Sequence, residues 1–393
     1  MKRQRIFGSG LVGLLVFAIV MLTGGQVVQA KDVATPQNNL NRAIASYDAL
    51  QKYFSVQDGS SLLLEEYPHQ NSDNTYSYEW PSSQAYIAAL DLSTVPGETG
   101  REYTSALVNR EIGEEHYWNT TGATGLPGYD SYVRPPYGNG GDKFYDDNEW
   151  IAQAKVQQYL TTGDHSSLER AKQIFALVVS GWDTNTTHAD PGGVFWTQAS
   201  WSSDRNTVSN MPGAELGLRL YQITGDHFYF DWAKRMYDWT NRYLQTSDGL
   251  YWDHLDLQGN INKTEWSYNQ GVPVGVNVLF YEVTGDSSYL HEAERIANAA
   301  LAYYGTSGIY NQPAYFNSIF FKNLLLLQSL DHNQNYVHAM QAYADVVWEN
   351  NRDAQTGLFH FGGSMETQLL EQAAMIQIYA TLSWKEPDYR NLY

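Results

Sequence analysis

Tyr159-Leu-Thr-Thr-Gly-Asp164 recurs along the chain as Tyr221-Gln-Ile-Thr-Gly-Asp226 and Tyr281-Glu-Val-Thr-Gly-Asp286. The copies lie 62 and 60 residues apart. In each copy the glycine supplies the left-handed position that ends a helix, and the aspartate caps the helix that follows. A degenerate copy ends at Asp331. The repeat therefore predicts a series of helical hairpins closed by tight turns, in which the motif residues have a structural role.

A second repeated element follows the hairpins and combines glycine, an apolar residue and an aromatic residue. Its copies are Gly193-Val-Phe195, Gly249-Leu-Tyr251, Gly308-Ile-Tyr310 and Gly357-Leu-Phe359. We expect short extended segments there, in loops at the opposite end of the helices from the tight turns. One face of the fold should therefore carry long, aromatic-rich loops.

Helical periodicity predicts twelve helices. Their spans are 38–56, 81–95, 101–117, 147–162, 166–181, 207–224, 227–245, 269–284, 287–304, 314–330, 334–350 and 366–383. This pattern predicts an all-α fold, an (α/α)6 barrel of six helical hairpins. The most apolar segments, such as 272–281 and 319–327, should form inner helices. An open α-solenoid is the alternative, although it favours more uniform repeats.

The N-terminus combines a basic start, an apolar run over 11–22 and a small-x-small pattern ending at Ala30. These features predict a signal peptide over residues 1–30, followed by one catalytic domain over 31–393. A retained membrane anchor is the alternative, but the apolar run is short for a spanning helix. We expect a secreted protein, extracellular or bound to the cell wall, monomeric and not attached to the membrane.

Charge and composition exclude several functional classes. Removing Lys2, Arg3 and Arg5 with the signal peptide changes the net charge from −19 to −19 − 3 = −22, so nucleic acid is not an expected partner. The chain has no cysteine, and its ten histidines are scattered, so neither a thiol nucleophile nor a metal site is expected. The 30 Tyr, 12 Trp and 14 Phe residues suit a carbohydrate partner, whose ring faces stack on aromatic side chains.

The most informative stretch for chemistry is Tyr137–Trp150, where a glycine-rich loop leads into a predicted helix and Asp146 and Asp147 lie at the junction. Adjacent residues at a helix start are about 100° apart around the axis, so both carboxylates can approach one ligand. A retaining glycosidase needs two carboxyl groups about 5–5.5 Å apart. The two like charges should also raise one pKa, leaving one acid protonated. The alternative is a capping aspartate beside a solvated one.

The context of this pair resembles glycoside hydrolase family 76, the bacterial endo-α-1,6-mannanases. Tyr145 to Trp150 matches a Tyr-Asp-Asp-x-x-Trp signature. Further similar segments follow in family order over about residues 40–385, namely Arg205–Asn210, Tyr251–Asp253 and Tyr268–Gly271, with a looser likeness at Phe316–Phe320. Trp80 lies where the family has an aromatic residue at a helix start.

The resemblance implies an (α/α)6 barrel and a retaining hydrolase of α-1,6-linked mannan or a related cell-wall polysaccharide. It also implies that Asp146 is the nucleophile, that Asp147 is the general acid/base, and that no cofactor is needed. The candidate substrate-binding residues are Trp80, Tyr145, Trp196, Asn206, Asn210, Asp253, Tyr268, Asn269 and Gln270. Helix capping, loop ordering or ordinary packing is the alternative role for these side chains.

Two other functions are also compatible with the sequence. The first is a different (α/α)6 carbohydrate enzyme, either of the unsaturated glucuronyl hydrolase type, whose anionic substrate suits an acidic chain poorly, or a transglycosidase. The second is a glycan-binding cell-wall protein without catalysis, which the intact aspartate pair argues against.

Overall fold

The structure, a computed structural model, describes residues 35–305 and 307–392. The predicted signal peptide, residues 1–30, lies outside the described residues. The helices are α1 Pro36–Phe54, α2 Glu79–Ser93, α3 Glu98–Glu114, α4 Tyr145–Thr162, α5 His165–Ser180, α6 Thr207–Thr224, α7 His227–Tyr243, α8 Ser267–Thr284, α9 Ser287–Tyr304, α10 Ala314–Asp331, α11 Asn335–Asn350 and α12 Leu369–Thr381. Each predicted helix is present, with ends that differ by at most three residues.

The helices form two concentric rings, which confirms the predicted (α/α)6 barrel. The inner ring runs α2, α4, α6, α8, α10 and α12, and it closes because α12 packs on α2. Five outer helices (α3, α5, α7, α9 and α11) each pack on the inner helix that precedes them. The sixth pair joins the ends of the chain, since α1 packs on α12.

The repeated turns have the predicted geometry. Gly163, Gly225 and Gly285 are left-handed, with φ of 77°, 70° and 71°. Each glycine N–H donates to a tyrosine carbonyl four residues earlier at 2.8 Å. Each following aspartate then caps the next helix through its side chain. The degenerate copy differs, because Asp331 is the last residue of α10 and the left-handed position falls on His332, with φ of 57°.

The inner helices are buried nearly all round, so their neighbours must approach closely. Gly275 of α8 shows how this is achieved. A Cβ atom at this position would collide with Asn323 of α10 and Glu215 of α6. Glycine normally weakens a helix interior, but here it permits contact with both neighbouring inner helices. As predicted, 272–281 and 319–327 lie in the inner ring.

Short strands connect the loops at the N-terminal ends of the inner helices. They are β1 Glu66–Tyr67, β2 Trp118–Asn119, β3 Gly128–Tyr129, β4 Asp204–Asn206, β5 His254–Asp256, β6 Ile261–Asn262 and β7 Thr367–Gln368. The strands β4, β5 and β6 form an antiparallel sheet in which Asn206 pairs with His254. The pairs β1–β7 and β2–β3 are also antiparallel.

Three of the four glycine-aromatic segments are extended, as predicted, because Val194, Tyr251 and Phe359 form isolated bridges. The prediction for Gly308–Tyr310 was wrong, since Gly308–Asn311 is a 3-10 helix. Its residues make local bonds instead, with the Tyr310 N–H donating to the Ser307 carbonyl at 3.3 Å. No helix among residues 35–305 and 307–392 is long and apolar enough to cross a membrane.

Candidate active site

A cleft of about 270 Å³ opens at the mouth of the barrel, where the N-terminal ends of inner helices α2, α4, α6, α8 and α10 meet. It is lined by Trp80, Asp146, Asp147, Trp196, Asp204, Asn206, Val208, Asp253, His254, Trp266, Tyr268 and Phe316. Both predicted catalytic aspartates are therefore in this cleft, together with five of the predicted binding residues.

Asp146 and Asp147 lie in the first turn of α4. The Trp196 indole N–H donates to Asp146 Oδ2 at 3.2 Å, and Asp146 Oδ1 has no hydrogen-bond partner. Backbone contacts hold the two segments together, because the Tyr145 N–H donates to the Trp196 carbonyl at 2.9 Å. One oxygen of Asp146 is thus oriented by a donor, while the other is buried without a hydrogen-bond partner.

The start of α4 is fixed to the neighbouring loop by Asn148. Its side-chain Oδ1 accepts from the Tyr129 N–H at 2.7 Å, and its Nδ2 donates to the Tyr129 carbonyl at 3.0 Å. These two bonds tie the helix to β3, the strand that contains Tyr129. The backbone carrying both aspartates is therefore rigidly positioned.

Burial raises the pKa of both aspartates. It raises the pKa of Asp146 to about 7, with the Trp196 donor acting in the opposite direction. Burial, and then the charge of Asp146, raises the pKa of Asp147 well above its ordinary value. The pair consequently binds a proton near neutral pH, and Asp146 is the first of the two to ionise.

Two buried glutamates accompany the pair, and the sequence did not single them out. Glu79 of α2 and Glu149 of α4 are fully buried, and their carboxyl oxygens make no hydrogen bonds. Burial raises the pKa of both groups, followed by the charge of Asp147 for Glu79 and of Asp146 for Glu149. Both glutamates therefore favour the protonated form more strongly than an exposed glutamate does.

One wall of the cleft is aromatic. The rings of Tyr268 and Phe316 stack in parallel, with centroids 3.8 Å apart. Trp266 and Trp80 pack on the same Phe316 ring, at 5.4 and 6.2 Å. Neither Trp266 nor Phe316 was predicted to bind substrate, although Phe316 lies in a segment whose family likeness was noted. This wall offers the flat apolar faces on which pyranose rings stack.

The β4–β5 pair brings polar groups to the cleft. His254 Nδ1 lies 2.9 Å from Asp253 Oδ2, and this hydrogen bond raises the pKa of His254. Asn269 Nδ2 donates to Asp253 Oδ1 at 3.3 Å. Asp253 is thus held through both oxygens, and Asn269 contacts the cleft only through it. Asp204 and His254 also line the cleft but were not predicted.

Four predicted binding residues do not line the cleft; one is Asn269, and the other three support the framework. The Tyr145 ring packs against Gly181. The side chain of Asn210 bonds to the Val194 backbone N–H and to two carbonyls. The Gln270 side chain similarly bonds the Tyr251 N–H and carbonyl, at 2.7 and 2.9 Å. Asn210 and Gln270 thereby fix the loops that carry Trp196 and Asp253.

Residues 35–305 and 307–392 contain no group of three or more histidine, aspartate or glutamate side chains that could hold a metal ion.

Comparisons with known proteins identify relatives of the whole barrel. The family model described as "Glycosyl hydrolase family 76" matches residues 40–381. A Candida glabrata protein named mannan endo-1,6-alpha-mannosidase DCW1 is 24% identical over 318 residues, covering 77% of this chain and 64% of that protein. The chain thus aligns with somewhat less than two thirds of this fungal relative. Because the relative is fungal, the likeness is not confined to bacterial enzymes.

Solved structures share the fold. The family 76 mannosidase Bt3792 from Bacteroides thetaiotaomicron superposes with a TM-score of 0.77 and 24% identity, covering 88% of this chain and 98% of that one. An α-1,6-mannanase from Salegentibacter has a TM-score of 0.68 and 19% identity, covering 88% and 99%. That structure is of an inactive variant with two consecutive aspartates changed to asparagine, in complex with α-1,6-mannotriose.

Proposed function

Because this chain belongs to glycosyl hydrolase family 76, we propose that it is a retaining glycoside hydrolase that cleaves α-1,6-mannosidic linkages in mannan or a related cell-wall polysaccharide. The observation that carries this proposal is the pair Asp146 and Asp147, two neighbouring carboxyl groups in a cleft with an aromatic wall. Two carboxyl groups with different protonation states are what glycoside hydrolysis requires.

A neutral polysaccharide fits the charges of the cleft. Its lining includes four aspartates and one histidine, so an anionic uronide would meet repulsion. The aromatic wall suits the apolar faces of sugar rings, and the polar wall suits their hydroxyls. The specific choice of α-1,6-linked mannose is supported by the fungal relative, which is named a mannan endo-1,6-alpha-mannosidase, and by the Salegentibacter α-1,6-mannanase.

The mechanism assigns one role to each aspartate. Asp147, the acid that keeps its proton to higher pH, donates that proton to the glycosidic oxygen as the bond to the anomeric carbon breaks. Asp146 attacks the same carbon through one of its carboxylate oxygens. A covalent glycosyl-enzyme forms and the shortened chain leaves.

The second step restores the enzyme. Water gives a proton to Asp147 and its oxygen attacks the anomeric carbon, which breaks the bond to Asp146 and releases the sugar with retained configuration. A sugar hydroxyl in place of water would give transfer, the alternative outcome. Secretion is proposed on the predicted signal peptide at residues 1–30, and the monomeric state stays a prediction.

Product analysis tests the proposed function. We expect purified residues 31–393 to release short manno-oligosaccharides from linear α-1,6-mannan, and to leave α-1,2-linked mannan and unsaturated uronides uncut. Chromatography of the products and NMR of the newly formed anomer provide the readout. Release of the β-anomer first would contradict retention, and turnover of uronides alone would favour the rival glucuronyl hydrolase function.

The pH profile provides a second test. Asp146 must be ionised to attack, and burial raises its pKa to about 7. We therefore expect kcat/KM to fall about tenfold per pH unit as the pH drops below about 7. Trp196→Phe removes the donor to the Asp146 carboxylate, so its acidic limb should move to higher pH. An acidic limb with an apparent pKa of about 4, the ordinary value for aspartate, would contradict the assignment of this limb to Asp146.

A further inference from the structure

Trp201 is the most exposed tryptophan near the cleft, with 58% of its surface accessible. It is not among the residues that line the cleft. Its ring lies 6.3 Å from Trp196, which lines the cleft and donates to Asp146, and 6.2 Å from Phe144. The aromatic surface therefore continues from the catalytic pair through Trp196 to Trp201 at the rim.

The loop that carries Trp201 is fixed to the chain just before α4. Thr197 Oγ1 donates to the Lys143 carbonyl at 2.8 Å, and the Gln198 N–H donates to the same carbonyl at 3.0 Å. Within the loop, the Ser202 N–H donates to the Ala199 carbonyl at 3.0 Å. Thr197 itself is buried. The exposure of Trp201 thus belongs to an anchored loop, so the ring is held in place before any ligand arrives.

An exposed, anchored tryptophan beside a polysaccharide cleft points to a sugar as its ligand. Covering a large exposed ring removes apolar surface from water, and Trp201 lies at the end of an aromatic path that starts at Trp196, the donor to Asp146. A polysaccharide of the proposed class would extend beyond a cleft of about 270 Å³, so further units would pass over the rim. Trp201 presents the face on which one of those units can stack.

We propose that Trp201 forms an additional mannosyl-binding platform outside the cleft, which makes the enzyme favour long chains over short ones. This inference rests on the proposed function, because it extends the same site along the same polymer. It assigns no chemical step to Trp201, whose ring contacts are with Trp196 and Phe144.

Kinetics on substrates of different length tests the platform. We expect Trp201→Ala to lower kcat/KM for polymeric α-1,6-mannan by about tenfold and to leave the shortest cleavable oligosaccharide nearly unchanged. Trp201→Phe keeps a flat ring and should retain most of the polymer activity. Phe228→Ala is the matched control, because Phe228 is 46% exposed at the N-terminal end of α7, by the tight turns at the opposite end of the barrel.

The outcomes separate this inference from the proposed function. Equal losses of kcat/KM on long and short substrates, or no loss on the polymer, would overturn the platform. The proposed function would still stand in that case, provided that the wild-type protein cleaves α-1,6-mannan. Wild-type protein that neither cuts nor binds α-1,6-mannan would overturn both. Affinity electrophoresis of the Asp146→Asn protein in mannan gels, with and without Trp201→Ala, adds a binding readout that needs no turnover, and weaker retardation on removing Trp201 supports the platform.

Discussion

Asp146→Asn is expected to lower turnover of α-1,6-mannan by roughly 10⁴-fold or more, because it removes the proposed nucleophile. The same change should make the protein more stable at alkaline pH. Burial raises the pKa of Asp146 to about 7, above the value of about 3.9 for an unfolded aspartate. The folded state therefore binds more protons between these two values, and stability is lost as the pH rises through that window.

Thermal melts and rate measurements check both parts. The Asn variant should melt higher than wild type at about pH 8 and show little difference at about pH 3, where the wild-type Asp146 is largely protonated in both states. Product analysis under the same conditions reports the turnover. An active Asp146→Asn protein, or one that is folded but less stable at both pH values, would contradict the role of Asp146.

Asp147→Asn serves as the matched control, since it also removes a raised carboxyl pKa but has a different chemical role. We expect it to lose turnover of mannan, whose leaving oxygen needs a proton. A mannoside with a good leaving group needs no such proton. The Asp147→Asn protein should therefore still release that leaving group in a first burst, whereas the Asp146→Asn protein should not. Equal behaviour of the two variants on that substrate would overturn the assignment of roles.

Local signals explain why the sequence predicted the fold so closely. Turn chemistry at Gly163, Gly225 and Gly285 depends on a few neighbouring residues, so each turn could be recognised without knowing its partners. Helix periodicity was equally local. The pairing of α1 with α12 was not predictable in this way, because it joins the two ends of the chain. Gly308–Tyr310 was misassigned because its sequence matches the extended copies while its backbone bonds locally.

The site was predicted only in part, because a sequence motif does not determine the direction in which each side chain points. Asp146, Asp147 and Trp196 reached the cleft as expected, whereas Asn210 and Gln270 turned out to bond the loop backbone. The family segments mix residues of both kinds.

Long-range placement accounts for the residues that were missed. Asp204 and His254 come together through the β4–β5 pairing, and the burial of Glu79 depends on the whole ring of helices. None of these can be inferred from spacing along the chain.

Lys322→Met is expected to destabilise the barrel by about 3–5 kcal/mol, because it leaves a buried carboxylate without its cation. Lys322 of α10 lies 2.8 Å from Asp91 of α2, and both side chains are almost fully buried. Gln157 of α4 donates to Asp91 Oδ1 at 2.9 Å, so one carboxylate joins three inner helices. Burial raises the pKa of Asp91, and Lys322 opposes that shift. Urea unfolding followed by circular dichroism measures the loss.

The double variant Asp91→Asn/Lys322→Met separates the cost of an unpaired charge from the loss of the pair itself. It removes both charges and should recover much of the stability, because a buried ion pair often contributes little net free energy. Equal instability of the single and double variants would show that packing, and not charge, decides the result. Asp91 lies roughly 16 Å along α2 from Trp80, at about 1.5 Å per residue. Both variants should therefore keep the kcat/KM of wild type at temperatures where they remain folded, which would show that the ion pair closes the ring of helices without tuning the cleft at its mouth.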